Sequence, residues 1–205
     1  MKKTFLYAAS VAFLALGMTA CGSATEEAVT YELDATATTL EWKGDYADGS
    51  HSHTGTIALA DGSMTFAGET FEKGSFNADL STIKSELTPE TGANDLIGHL
   101  SSPNFFNSAA FPKVAITVNS VSSTEIDATL AIAGKKLAAK IPVKTTKTAD
   151  SFTAKGDFTV DFSSLNLNGF KADLAKEKET GKKDQFVKPV VGFKLNLKLK
   201  AAAKK

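Results

Sequence analysis

The sequence predicts an all-β protein, an antiparallel up-and-down β-barrel of about eight strands, interrupted by one short helix and an aromatic loop at the barrel mouth. Three observations lead there. Apolar and polar residues alternate in about eight separate runs, the pattern of strands with one face buried and one wet. The runs are joined mostly by short turns, and no strand-helix-strand alternation appears, which argues against a parallel sheet. A meander of that number closes into a barrel whose interior can hold one apolar molecule. A two-layer sandwich is the alternative architecture.

The chain opens with Lys2 and Lys3, an apolar run from Phe5 to Leu16, and small residues up to Cys21. This is the build of a secretory signal, and the run is too short to span a bilayer as a helix. Cys21, with small residues before it and Gly22 after it, resembles a bacterial lipobox, whose cysteine is lipidated and becomes the new N-terminus. The expected organisation is a signal peptide over 1–20, a flexible tether over 21–30, a barrel domain over 31–200 and a frayed basic tail over 201–205. Cys21 is the only cysteine, so no intrachain disulfide is available and the core alone must hold the fold. The formal charge is +0, and loss of Lys2 and Lys3 makes it slightly negative, which argues against nucleic acid as a partner. Every basic residue is lysine; without arginine, bidentate capture of phosphate is unavailable.

Leu40 and Trp42 alternate with Thr39, Glu41 and Lys43, which puts the one tryptophan on an inward face. A turn over 45–50 leads to a strand over 51–59, where His51 and His53 stand two apart and share a face. That spacing suits a metal pair, but no third ligand is nearby, so no metal site is expected. Asp61-Gly62 reads as the turn of a hairpin whose return strand is 63–66. Phe76, Ala78 and Leu80 form the next inward row; Val114, Ile116 and Val118 follow, then Ile126 to Ile132 and Leu137 to Val143, the last two joined at Gly134-Lys135. Phe152, Ala154, Gly156, Phe158, Val160 and Phe162 mix large and small residues as a tapered interior requires. Residues 163–188 read as less regular, with the charged portion 176–184 as a solvated loop, and Val191, Phe193, Leu195, Leu197 and Leu199 close the series as the plainest strand.

The interruption lies at Asn94 to Lys113. Leu96, Ile97 and Leu100 follow a polar start at near-helical spacing, and Pro103 ends the helix. Phe105, Phe106 and Phe111 then sit among Pro103, Asn104, Asn107 and Pro112, more aromatic area than a solvated loop leaves exposed. This segment is expected to cover one end of the barrel and help wall its interior.

Four blocks carry a likeness: Tyr31-Glu-Leu-Asp34 with Leu40-Glu-Trp-Lys43, His53-Thr-Gly55-Thr, Gly98-His-Leu-Ser-Ser-Pro-Asn-Phe-Phe106 with Phe111-Pro-Lys113, and Ala128 to Gly134 with Ile141-Pro-Val143. Through them the sequence resembles the YceI-like lipid-binding family of bacterial envelope proteins. The resemblance implies a lipocalin-like barrel enclosing a long polyisoprenoid or related amphiphile. Many relatives carry an Arg-Asp pair where this chain has Leu96 and Ile97, and a late arginine where it has Phe162. Both changes remove charge and favour a neutral, quinone-like head over a phosphate.

The expected function is therefore non-enzymatic binding, carriage or storage of an isoprenoid lipid by an envelope lipoprotein held to the membrane through lipidated Cys21. Gly22 in place of aspartate points to the outer membrane. Candidate ligand-binding residues are Phe105, Phe106 and Phe111 at the mouth, with Leu100 beside them and His99 as a donor to the head group; Trp42, Phe158 and Phe193 are candidates for the wall. Plain core packing is the alternative for each aromatic. No cofactor is expected beyond the lipid, and monomer and dimer are both open. There is no Gly-x-Ser-x-Gly elbow, and three histidines with scattered carboxylates make no catalytic constellation. An envelope stress or interaction protein with a filled barrel is the competing reading.

Overall fold

The computed structural model describes residues 26–172, 174–181 and 186–203. Ten strands form one antiparallel sheet: β1 (Ala28–Leu33), β2 (Thr39–Tyr46), β3 (Ser52–Ala67), β4 (Thr70–Ser85), β5 (Lys113–Val121), β6 (Glu125–Ile132), β7 (Lys135–Pro142), β8 (Lys144–Lys147), β9 (Ser151–Asp161) and β10 (Val187–Ala201). Helix α1 (Ala93–Ser101) lies between β4 and β5, and α2 (Leu174–Thr180) between β9 and β10.

The ten strands fill eight positions around a closed barrel. β1 and β2 share one, because β1 pairs with β10 and the far half of β3 while β2 pairs with β10 and the near half of β3. β7 and β8 share another: β6 pairs with β7, and β8 pairs with β9, which closes the ring. From β3 to β6 each strand pairs with its successor, and β9 pairs with β10. The about eight alternating runs thus correspond to eight staves, two of them split.

Alternation behaves as period-two packing demands. In β6 the residues Ile126, Ala128, Leu130 and Ile132 are all buried, and β10 buries Val191, Leu195, Leu197 and Leu199. Two boundaries differ from expectation. β1 begins at Ala28, inside the segment expected as tether, because Val29 and Thr30 pair with Phe66 and Thr65 and the two threonine hydroxyls lie 3.0 Å apart. Ala201 belongs to β10, and the Ala202 amide donates to the Thr30 carbonyl at 2.8 Å, so the first residues of the expected tail are part of the sheet. The signal peptide, Cys21 and the first part of the tether fall outside the described residues.

Asp61-Gly62 is not a hairpin turn. β3 runs through it, with Asp61 opposite Asn77 and a register shift just before. Gly62, at φ +153°, lets the Phe76 ring lie where a Cβ would stand, and the pair continues a long strand just after a bulge at Ala60. The turn comes later, at Gly68, where φ is +55°. The tight connection between β6 and β7 falls one residue earlier than the expected Gly134-Lys135, with Ala133 and Gly134 at φ +48° and +75°, the two-residue primed turn that suits strand twist, and Lys135 already in β7.

The two ends of the barrel are closed differently. At one, Tyr31, Met64, Phe66, Phe152 and Leu199 pack solidly, with Phe66 and Phe152 stacked at 5.5 Å and the Tyr31 hydroxyl donating to the Thr148 carbonyl at 2.8 Å. At the other, the end of β4 and the starts of β5 and β10 leave the barrel open, and α1, the loop after it and residues 162–172 lie across it.

Candidate functional site: an apolar cavity under an aromatic lid

Between these two ends runs a cavity of about 200 Å³. It extends from Leu96, Leu100 and Phe106 under the lid to Met64 and Leu197 in the lower half of the barrel. Its walls are aliphatic and aromatic side chains from the inward rows of the strands, and His53 is the one ionisable side chain among them.

The lid owes its shape to local sequence. α1 starts after Gly92, in the left-handed region at φ +100°, and its chain turns extended at Ser102 because Pro103 follows. Leu96 and Leu100, four residues apart on one face of α1, both reach the cavity. The following loop folds back on the helix: the Phe106 amide donates to the Leu100 carbonyl at 3.1 Å, and Asn107 takes φ +47°. Phe105 is 3% exposed and meets Phe170 edge to face at 5.0 Å. The Gly169 amide donates to the Asn104 carbonyl at 2.8 Å, and Lys135 Nζ donates to the Leu165 carbonyl, so the two lid segments and the β6–β7 turn are tied together.

Of the residues singled out from sequence, Trp42, Leu100, Phe105, Phe106, Phe158 and Phe193 line the cavity. Phe158 and Phe193 stack at 5.6 Å with a 20° tilt, register partners on β9 and β10. Trp42 lies across Gly55, its register partner, and its Nε1 donates to the Thr56 carbonyl at 3.3 Å; no side chain larger than hydrogen fits beneath the indole. Two of the sequence blocks therefore meet in one contact. His99 and Phe111 are placed elsewhere. His99 is exposed on the outer face of α1 and contacts the Phe105 ring at 5.0 Å, because a residue adjacent to Leu100 on a helix points about 100° away from it. Phe111 is 38% exposed and packs over Gly134, outside the lining.

Sequence reasoning missed Leu165, Leu167 and Phe170, which stood in a segment read only as less regular and are all buried in the lid. Phe170 stacks on Phe162 at 5.8 Å with a 9° tilt. The argument applied to Phe105 and Phe106, aromatic area in a polar loop, would have found them. It also set His53 aside. The His53 ring lines the cavity, its Nε2 lies 3.2 Å from the Tyr46 hydroxyl, and its Nδ1 is buried with no partner. Burial, and secondarily the charge of His51, holds the His53 pKa below that of a free imidazole. Among the described residues no three His, Cys, Asp or Glu side chains group as metal ligands would.

A closed antiparallel barrel with this lid matches a family model described as the YceI-like domain over residues 31–200. The chain belongs to the YceI-like family. Among solved structures, the YceI-like chain is similar to Burkholderia cenocepacia BcnA, at TM-score 0.60 and 14% identity, covering 81% of this chain and 98% of that one. It is also similar to a polyisoprenoid-binding domain from Saccharophagus degradans implicated in plant cell wall breakdown, at TM-score 0.57 and 16% identity, covering 84% and 98%. At these identities the likeness is one of fold. No curated relative matches the chain.

Proposed function

We propose that this YceI-like protein is a non-enzymatic carrier or store of a long apolar isoprenoid lipid, which lies along the barrel with its tail toward Met64 and Leu197. The observation that carries this reading is the apolar cavity itself. At about 24 cal/mol per Å³, an unfilled apolar void of about 200 Å³ costs on the order of 5 kcal/mol, a large part of the net stability of a domain. Water does not fill such a space well, whereas a hydrocarbon tail gains about 0.8 kcal/mol per CH₂ removed from water. The polyisoprenoid-binding description of the Saccharophagus degradans domain supports the same class of ligand. Lipidated Cys21 would hold the carrier at the envelope, with the outer membrane as its site by the residue that follows the cysteine.

Mass spectrometry of lipids extracted from natively purified protein tests the carrier: a stoichiometric isoprenoid is expected, and an empty protein would return the filled-barrel alternative. Reloading delipidated protein to 100-fold above the dissociation constant should stabilise it by about 2.7 kcal/mol and raise its melting temperature by roughly 5–10 °C. Cys21→Ser should release the folded domain into the soluble fraction; retention with the membranes would defeat the anchor.

A further inference from the structure

The cavity wall is apolar except at one place. His53 stands at the start of β3, beside the opening, opposite Gly44 on β2. Tyr46 and His51 complete a ring cluster there, with Tyr46 and His51 at 3.8 Å, Tyr46 and His53 at 5.3 Å, and the two imidazoles at 5.7 Å. Nε2 of His53 is engaged by the Tyr46 hydroxyl while Nδ1 is buried and unpartnered. Buried polar atoms in folded proteins almost always have partners, so each exception asks what completes it. Ser102 Oγ and Asn196 Oδ1 share that condition, but neither residue lines the cavity.

We propose that His53, oriented by Tyr46, is the head-group subsite of the cavity, and that it takes a neutral oxygen function, a carbonyl or a hydroxyl, at the end of the apolar ligand. This rests on the carrier reading and adds where the polar end of the ligand sits. Tyr46 can donate to Nε2, which leaves Nδ1–H to donate to a carbonyl; or it can accept from Nε2–H, which leaves Nδ1 to accept from a hydroxyl. Both states are neutral, and burial favours the neutral ring. Of the charges nearby, Lys43 pairs with Asp45 at 2.9 Å, Asp48 holds Ser50, and Glu86, just past β4, accepts from Thr54. Tyr46 is a positioning residue, since it acts through the imidazole.

The test uses three probes with one farnesyl tail: farnesol, farnesyl pyrophosphate and the headless hydrocarbon, together with a short prenylquinone. The parent protein is expected to bind farnesol and the prenylquinone more tightly than the hydrocarbon or the pyrophosphate. His53→Phe should weaken the two oxygen-headed probes about tenfold, the worth of one hydrogen bond, and leave the hydrocarbon unchanged. His53→Gln should recover part of that loss and stands in if the phenylalanine variant does not fold, while Tyr46→Phe should give a smaller loss of the same selectivity. Equal loss for all probes, or none, would overturn the subsite while the carrier stands. Tighter binding of the pyrophosphate would overturn the neutral head. A parent protein that binds none of the four would remove the carrier reading as well.

Discussion

Phe105 and Phe106 are neighbours with different work. Phe105 is wedged against Phe170 and fills the space over Gly169, where any side chain would collide with its ring. Phe106 is half-buried, meets Phe162 edge to face at 6.2 Å, and lines the cavity. Phe105→Ala is therefore expected to destabilise the protein by about 3–5 kcal/mol, and Phe106→Ala by about 1–2 kcal/mol with a larger share of its effect on ligand affinity. Denaturant unfolding and prenylquinone titration of both variants check the split. His53 gives a pH prediction. Its neutral form is favoured in the fold, so nothing is lost above the free imidazole pKa of 6.5; as pH falls below that value the unfolded chain takes up the proton first and stability declines. The melting temperature of the parent should fall more between pH 7 and pH 5 than that of His53→Gln. At this scale the sequence was only partly legible. Alternation marked Trp42, Phe158 and Phe193 as inward, and the helical period, applied to His99, would have turned it about 100° from Leu100; Phe111 stands in an aperiodic loop that carries no phase.

At the level of elements, strands were legible wherever one face was buried, and turns were legible where backbone and sequence agreed. The turn expected at Gly134-Lys135 falls at Ala133-Gly134, and Asp61-Gly62 makes none, because the strand continues through it after a bulge at Ala60. Asp61 there accepts from Asn77 and Lys113, contacts a hairpin tip would lack. Gly62→Ala should cost roughly 1–3 kcal/mol, since the alanine must adopt φ near +153° and displace the Phe76 ring. Thermal unfolding measures it, and an unchanged melting temperature would mean that the bulge relaxes. Residues 163–172 were left without an assignment because their short 3₁₀ turns have no period to detect, although Leu165, Leu167 and Phe170 carry more apolar surface than a solvated segment leaves exposed.

For the whole molecule, eight positions around the barrel were legible as eight alternating runs, while the sharing of one position by β1 and β2 was not, since it depends on pairing across the entire chain. β10 is the strand on which that pairing depends: it takes β1, β2 and β9 as partners, and Tyr31 sits opposite Ala201. Its consequence lies in time as well as in space. A chain that emerges N-terminus first presents β1 to β9 with no partner to close them, so neither barrel nor cavity exists until the last strand of the domain arrives. Such a chain stays open along its length, and it encloses no lipid before β10 is in place. A chain ended before β10 should accordingly remain sensitive to protease, while the full domain becomes resistant in one step.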